Sequence, residues 1–354
     1  MSCGASSSRA RPDRARVAEL GRFIDWLTGP GGQGSSRSSS GRTLRRQSVW
    51  CWRVEPSIIS DGVVHDWLQL DGVYLAGMCC LIAESVDGPV AWQWCDREKQ
   101  AAWAALLRQV PAPLVVICDG QPGLLAALKQ VWPSTVVQRC LVHVRRDVRT
   151  DLTTRPKTPA GQVLLELAAR LPRITDSVQA SEWLVRLDAW WQTFGHLTSE
   201  KTYRSDVDEA DIPSWAKPNQ QWWYTHKRLR SAWRLLNKLA RDHDLFRYLE
   251  PDLASLVVPS TTNRIEGGVN AQLRRLLGHH RGMPPTHQQR AVEWWLWLHS
   301  PHHPAPVTLI RPEHLQPVKP RIVDTPDKPA GYDKGISAEE GLWARKGWAG
   351  RWQQ

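Results

Sequence analysis

Apolar positions along the chain fall into stretches of different period. Over residues 17–27, Val17, Leu20, Phe23, Ile24 and Leu27 recur at helical spacing and predict an amphipathic helix. Gly29, Pro30, Gly31 and Gly32 stop it, and a Gly/Ser-rich stretch runs on to Gly41. A second short, basic helix is predicted over 42–54. Residues 66–71 read as a short strand ending in a carboxylate. Runs at 73–83 and 90–94 are apolar and rich in β-formers, and residues 99–110 have helical period. Residues 114–118 form the continuous apolar run of a buried central strand. A helix follows over 122–131, with its proline inside the first turn. This alternation predicts an α/β layer fold.

From about residue 141 to 251 the pattern changes to helices, predicted over 163–171, 181–194, 222–241 and 243–249. An all-helical segment lying between two parts of another domain is therefore expected. Further helices are predicted over 260–277 and over the Trp-rich 288–298. Beyond Ser300 the chain is Pro-rich and loses its period, as an extended or partly disordered tail would.

Composition narrows the class. The 354 residues suffice for one large domain with an appendage or for two domains, and their formal net charge is +11. That balance points toward a polyanionic partner, with a merely solvated basic surface as the alternative. There is no long apolar run to span a membrane and no apolar segment after the Arg-rich start, so no membrane partner and a cytoplasmic address are expected. The 7 cysteines include no Cys-x-x-Cys pair, which argues against a disulfide framework and a self-contained zinc site. Cys79, Cys80 and Cys118 sit in apolar runs and are expected as small core residues. Tryptophan is over-used, 21 against 5 Tyr and 3 Phe, and is expected to fill core positions that Phe takes elsewhere.

Three acids carry the candidate chemistry. Asp71 and Asp119 each follow a predicted strand and precede a glycine, Gly72 and Gly120. In open α/β sheets ligand crevices lie beyond the carboxyl ends of strands. Asp-Gly is also an ordinary turn pair. Glu266 lies near the start of the helix predicted over 260–277, where Ser260, Thr261, Thr262 and Asn263 are candidate caps. Asn263, Glu266 and Asn270 are spaced to share one face, while Ile265, Val269, Leu273 and Leu276 line another. Magnesium needs oxygen ligands, and two such ions assist phosphodiester chemistry. Three acids on two strands and a rigid helix fit such a site.

The ordered set Leu70-Asp71-Gly72-x-Tyr74, Asp119-Gly120-x-x-Gly123-Leu124, Gln138-Arg139-Cys140-x-x-His143 and Thr262-Asn263-x-x-Glu266 resembles the bacterial Mutator-type insertion-sequence transposases. The resemblance covers roughly residues 17–300. It implies an RNase H-like catalytic domain carrying an Asp-Asp-Glu triad, interrupted by a helical insertion between the second Asp and the Glu. Carried over by position, Asp71, Asp119 and Glu266 are the metal ligands and catalytic acids, with two Mg²⁺ or Mn²⁺ ions per site. The implied organisation is a helical DNA-binding unit over 1–57, core over 62–150, insertion over 151–255, core again over 256–300, and a tail over 301–354. The implied partners are element terminal inverted repeats and target DNA, bound by a homo-oligomer at the nucleoid.

Around the triad, Cys140 and His143 are expected to pack beside the active site with Asn263 and Asn270. Arg139, Arg145, Arg146, Arg274 and Arg275 are candidate phosphate contacts. Further basic residues, Lys227, Arg228, Arg230 and Arg234, cluster in the predicted insertion. Arg42, Arg45 and Arg46 on the second helix fit a helix-turn-helix-like reader, or equally a loose helical pair with a solvated face. Trp190-Trp191 and Trp222-Trp223 are read as helix packing, with base stacking as the alternative. Relatives of this type often begin with a Cys-rich zinc-ribbon-like segment. Only Cys3-Gly4 resembles the end of one here, which leaves open a truncated or misannotated copy and puts end recognition in question more than catalysis. Three other readings stay open: a remnant that binds DNA without cutting it, an RNase H-like nuclease, and a basic structural protein.

Overall fold

The computed structural model describes residues 10–29, 41–58, 60 and 62–316. Cys3, the side chain of Arg42 and residues 317–354 lie outside the described residues.

Helix α1 (Ala10–Thr28) stops at the glycine expected to stop it. Helix α2 (Gly41–Ser48) gives way to a 3₁₀ turn at Val49–Arg53. The single helix expected over 42–54 therefore changes its winding. The turn buries Trp50 and Cys51, and the Trp50 indole donates to Glu19 of α1 at 2.8 Å.

A five-stranded sheet follows. Strands β1 (Trp67–Leu75), β2 (Met78–Ser85) and β3 (Gly88–Cys95) form an antiparallel meander. Helix α3 (Gln100–Leu107) leads to β4 (Val115–Cys118), and helix α4 (Pro122–Val131) to β5 (Val136–Arg139). The order is β3-β2-β1-β4-β5, with β4 parallel to both β1 and β5. Two expectations are corrected here. The apolar run at 73–83 is not one strand, because Ala76 and Gly77, both at positive φ (53° and 79°), turn it into a hairpin. Asp71 also does not end its strand, since pairing with β2 carries β1 on to Leu75.

The sheet has an apolar layer on each face. One buries Leu68, Leu70 and Leu81 with Trp103 and Leu106 of α3 and Leu124 of α4. The other buries Val73 and Ile82 against the carboxyl-terminal helices described below.

After β5 come α5 (Leu141–Leu152), α6 (Pro159–Arg170) and α7 (Ser177–Phe194). A short ribbon of β6 (Lys201–Tyr203) and β7 (Trp222–Tyr224) precedes α8 (Lys227–Arg241). These helices enclose their own core, including Leu141, Val148, Leu164, Leu171, Trp183 and Leu236. The all-helical expectation is thus corrected, because Trp222–Tyr224 pairs as a strand instead of opening the helix. Three consecutive aromatic residues suit a pleated, half-buried edge better than a helix start. Trp190 and Trp223 are buried, as the packing reading expected, whereas Trp191 and Trp222 are exposed.

The chain then returns to the sheet. A π-helical turn at Ile265–Asn270 continues as α9 (Ala271–His279), and α10 (Pro285–Leu298) follows. Ile265, Leu273 and Leu296 cover β1 and β2. Leu276, Trp294 and Trp297 meet Leu20, Phe23 and Trp50 in one core. The amino-terminal helices expected as a separate unit therefore share their core with α9 and α10. Trp103, Trp294 and Trp297 are the largest fully buried side chains, filling core as expected. Among the described residues no helix is long and apolar enough to cross a membrane.

Candidate active site

Parallel pairing places Leu70 of β1 opposite Cys118 of β4. Asp71 and Asp119, the next residues on each strand, therefore sit side by side, about 4.8 Å apart in the strand-to-strand direction. Strand β4 ends at Cys118 while β1 continues with β2. The sheet forks at this point, which leaves the two acids on an open edge. Gly120, at φ +81°, lets the chain turn away under Arg139, whose guanidinium occupies the space a side chain at 120 would need. The Gln121 backbone N–H donates to Asp119 Oδ1 at 2.8 Å and fixes that carboxylate.

The third acid is brought in by a docked helix start. Gln69 is fully buried on β1, two residues before Asp71 and on the same face. Its Nε2 donates to the Thr261 carbonyl at 3.0 Å, and its Oε1 accepts from the Ile265 N–H at 3.1 Å. Arg264 reaches buried Glu84 on β2 at 3.2 Å. The same residue that carries Asp71's strand thus sets where the Glu266 turn begins. Gln69→Leu leaves the buried Ile265 N–H and the partly buried Thr261 carbonyl unpaired and is expected to cost about 2 kcal/mol or more, read by urea unfolding.

The winding at this helix is i→i+5 over Ile265–Asn270 and includes Gly267 and Gly268, which offer no side chains to crowd a wider turn. It directs Asn270 to the sheet, where its Nδ2 donates to Asp71 Oδ2 at 2.7 Å. Glu266 faces the start of α5. Its Oε1 accepts from the Thr262 hydroxyl at 2.8 Å and lies 3.5 Å from His143 Nδ1. Its Oε2 lies 3.4 Å from the exposed Arg146 guanidinium.

Cys140 and His143 meet at Thr262. The Thr262 N–H donates to Cys140 Sγ at 3.2 Å, and its hydroxyl lies 3.2 Å from that sulfur and 3.4 Å from His143 Nδ1. Burial alone would raise the Cys140 thiol, but hydrogen bonds from His143 and Thr262 bring it below its ordinary value. Burial alone would lower His143, but the bond to Cys140 and the charges of Cys140, Glu266 and Asp119 raise it to about 9. The donor atoms of Cys140, His143 and Glu266 lie within 4.8 Å of one another. The Thr262 hydroxyl bonds among them, so the cluster is a network that orients Glu266.

Asp71 feels the crowding most. Burial, then the charges of Glu266 and Asp119, push its carboxyl up to about 7. Asn270 is buried, and its Oδ1 has no hydrogen-bond partner.

Several expected site residues stand elsewhere. Asn263 is exposed, and its hydrogen bond runs from its backbone N–H to Thr261 Oγ1; Thr262 takes the place beside Glu266. Arg139 is only 6% exposed and donates to the Asp119 carbonyl, so it braces the turn instead of facing a phosphate. Arg45, Arg46, Arg145, Arg274 and Arg275 are exposed. Arg228 donates to the Thr150 and Asp151 carbonyls at the end of α5, and Arg230 to that of Thr198, so both tie α8 to its neighbours. Gln69, Glu84 and Arg264 escaped the sequence reading, which took Thr262 as a candidate cap and a motif residue. A glutamine at an inward position of an apolar-alternating strand was the available signal for the first.

The fold and site describe a mixed α/β protein that gathers three acids at the fork of its sheet. The family model described as "Transposase, Mutator family" matches residues 75–222, a span that includes Asp119, Cys140 and His143 and falls between Asp71 and Glu266. A probable transposase for an insertion sequence element from Corynebacterium diphtheriae is 29% identical over 239 residues, 64% of this chain and 57% of that protein. The transposase for insertion sequence element IST2 of Acidithiobacillus ferrooxidans is 35% identical over 77 residues, 20% of this chain and 26% of that protein. The transposase for insertion sequence element IS6120 of Mycolicibacterium smegmatis is 28% identical over 162 residues, 41% of this chain and 48% of that protein. The matched part of the chain thus spans about half or less of each relative's length. Over residues 75–222 the chain is thus similar to the Mutator family of transposases.

Proposed function

We propose that the protein is a DNA transposase that cuts the phosphodiester backbone at element ends and joins the freed 3′-hydroxyl to target DNA. In this reading Asp71, Asp119 and Glu266 hold two divalent ions, Mg²⁺ or Mn²⁺. The observation that carries it is the convergence of the three acids from two strands and one helix, with Asp71 driven up to about 7 by burial and its two acidic neighbours. Such a cluster is relieved by a hard cation with all-oxygen ligands. The unpaired Oδ1 of buried Asn270, beside Asp71, fits the same requirement.

The strand order supports an RNase H-like reading: three antiparallel strands, two parallel ones, and helices on both faces. The helical body with its own core then reads as an insertion over 151–255, between core parts at 62–150 and 256–300, with 1–57 as the DNA-binding unit.

When bound, the ions would activate the attacking water or hydroxyl and stabilise the leaving oxygen. The protein's own groups prepare that chemistry. Asn270 holds Asp71 in register, and Gln121 fixes Asp119. Thr262 and His143 orient Glu266. The exposed Arg145, Arg274 and Arg275 lie on the helices flanking the site and would neutralise DNA phosphates, so binding should weaken as salt rises. Terminal inverted repeats and target DNA are the proposed partners, held by a homo-oligomer.

The test is cleavage of a labelled duplex carrying the element's own ends, with Mg²⁺ or Mn²⁺ against EDTA. Metal-dependent nicking at the element end is expected. Nicking without regard to the end, or of RNA–DNA hybrids alone, would make the protein a nuclease of another kind. Binding without nicking would make it a DNA-binding remnant.

A further inference from the structure

We propose that Glu98 is a fourth carboxylate of the metal centre, approaching from the face of the sheet opposite Glu266. The inference rests on the metal-site reading above and extends it to a residue outside the triad.

Successive residues of a strand point to opposite faces. Asp71 faces the Glu266 turn, as its bond to Asn270 shows. Position 72 therefore faces the α3–α4 side. The space a Cβ there would occupy is taken by the Glu98 carboxylate, its carbon 2.7 Å and its oxygens 2.8 and 3.0 Å from that point. Glycine at 72 is what allows this carboxylate to lie against the strand beside Asp71. Gln121 ties Glu98 to Asp119. Its Nε2 donates to the Glu98 carbonyl at 2.7 Å, while its own N–H donates to Asp119 Oδ1. Glu98 is half-buried, and among the described residues no Lys, Arg or His lies within ion-pair distance of it. Its one side-chain hydrogen bond comes from the Cys79 thiol, a weak donor, at 3.8 Å. Burial and the charge of Asp119 raise its carboxyl.

A half-buried acid held near Asp119, without a cation, costs stability unless a positive charge joins it. With Glu98, acids surround the fork from both faces: Asp71 and Glu266 on one side, Glu98 on the other, and Asp119 at the open end of β4. Four carboxylates supply more anionic oxygens than one ion needs, which suits the pair of ions proposed above.

The experiment is an Mn²⁺ titration of the full chain, followed by electron paramagnetic resonance of free Mn²⁺, for wild type, Glu98→Gln, Gly72→Ala and Asp119→Asn. Glu98→Gln should raise the Mn²⁺ Kd by about tenfold or more, with metal-free thermal stability equal to wild type or higher. Gly72→Ala inserts a methyl where the carboxylate lies and should weaken binding by the same route. The double variant should then be no weaker than Glu98→Gln alone. If Asp119→Asn loses Mn²⁺ while Glu98→Gln binds within twofold of wild type, Glu98 is not a ligand and the triad reading stands. If wild type binds no Mn²⁺, or Asp119→Asn binds as wild type does, both readings fall together.

Discussion

Asp119→Asn is expected to lower metal-dependent nicking at the element end by roughly 10²–10³-fold or more, the scale of losing one preorganised electrostatic contact to a reacting phosphate. The substitution isolates charge from structure. Asp119 Oδ1 accepts the Gln121 N–H, and an asparagine oxygen can accept the same bond. The Arg139 bond goes to the backbone carbonyl of residue 119 and does not depend on the side chain. The loop should keep its shape, and DNA binding, carried by exposed arginines elsewhere, should stay near wild type. Nicking assays beside gel-shift titrations would separate the two. Wild-type nicking by Asp119→Asn would remove Asp119 from the triad.

Asp71→Asn should stabilise the metal-free protein at pH 8 while abolishing nicking. Asp71 is raised from 3.8 to about 7 in the fold. A carboxyl raised in the folded state binds its proton more tightly there than in the unfolded chain. Its favourable contribution is complete below the unfolded value and is lost as pH rises through about 7. Above that pH wild type keeps a buried charge beside two other acids. An asparagine carries none and can still accept the Asn270 bond. Each pKa unit is about 1.4 kcal/mol, so the variant should gain on the order of 4 kcal/mol at pH 8 in EDTA. The gap should shrink as pH falls from 7 toward 4. Urea unfolding at several pH values measures it. A gap that stays constant with pH, or a less stable variant at pH 8, would show that Asp71 is not under this load. Saturating Mn²⁺ should close the gap by stabilising wild type, a link between stability and the proposed chemistry.

The apolar pattern alone located much of this. Residues 114–118 read as a buried strand, which Val115–Cys118 forms, so Asp119 was legible as a strand-end acid. The first helix, α3, α4 and α10 were legible from their period and from Gly and Pro at their ends. Asp71 was legible as a candidate acid for a partly mistaken reason. The sequence pattern ended its strand at the acid, whereas only β4 ends there and β1 runs on with β2. The hairpin depends on Ala76 adopting positive φ, which an alanine does not announce.

Sequence by itself determined most of the helices and strands, because period and turn chemistry are local, and it named the three candidate acids in order. Tertiary structure decided who stands beside them. Glu98 sits in the polar run Asp96-Arg97-Glu98-Lys99, which reads as a solvated turn until α3 and α4 fold against β1 and press it to Gly72. Arg139 reads as a phosphate contact until the chain after β4 folds over it. Thr262 reads as one cap among four until Gln69, nearly two hundred residues away, anchors the turn on either side of it. The amino-terminal helices display an apolar stripe but not its partner, which is α9 and α10. In each case the deciding interaction joins residues far apart in sequence, and no local period encodes it.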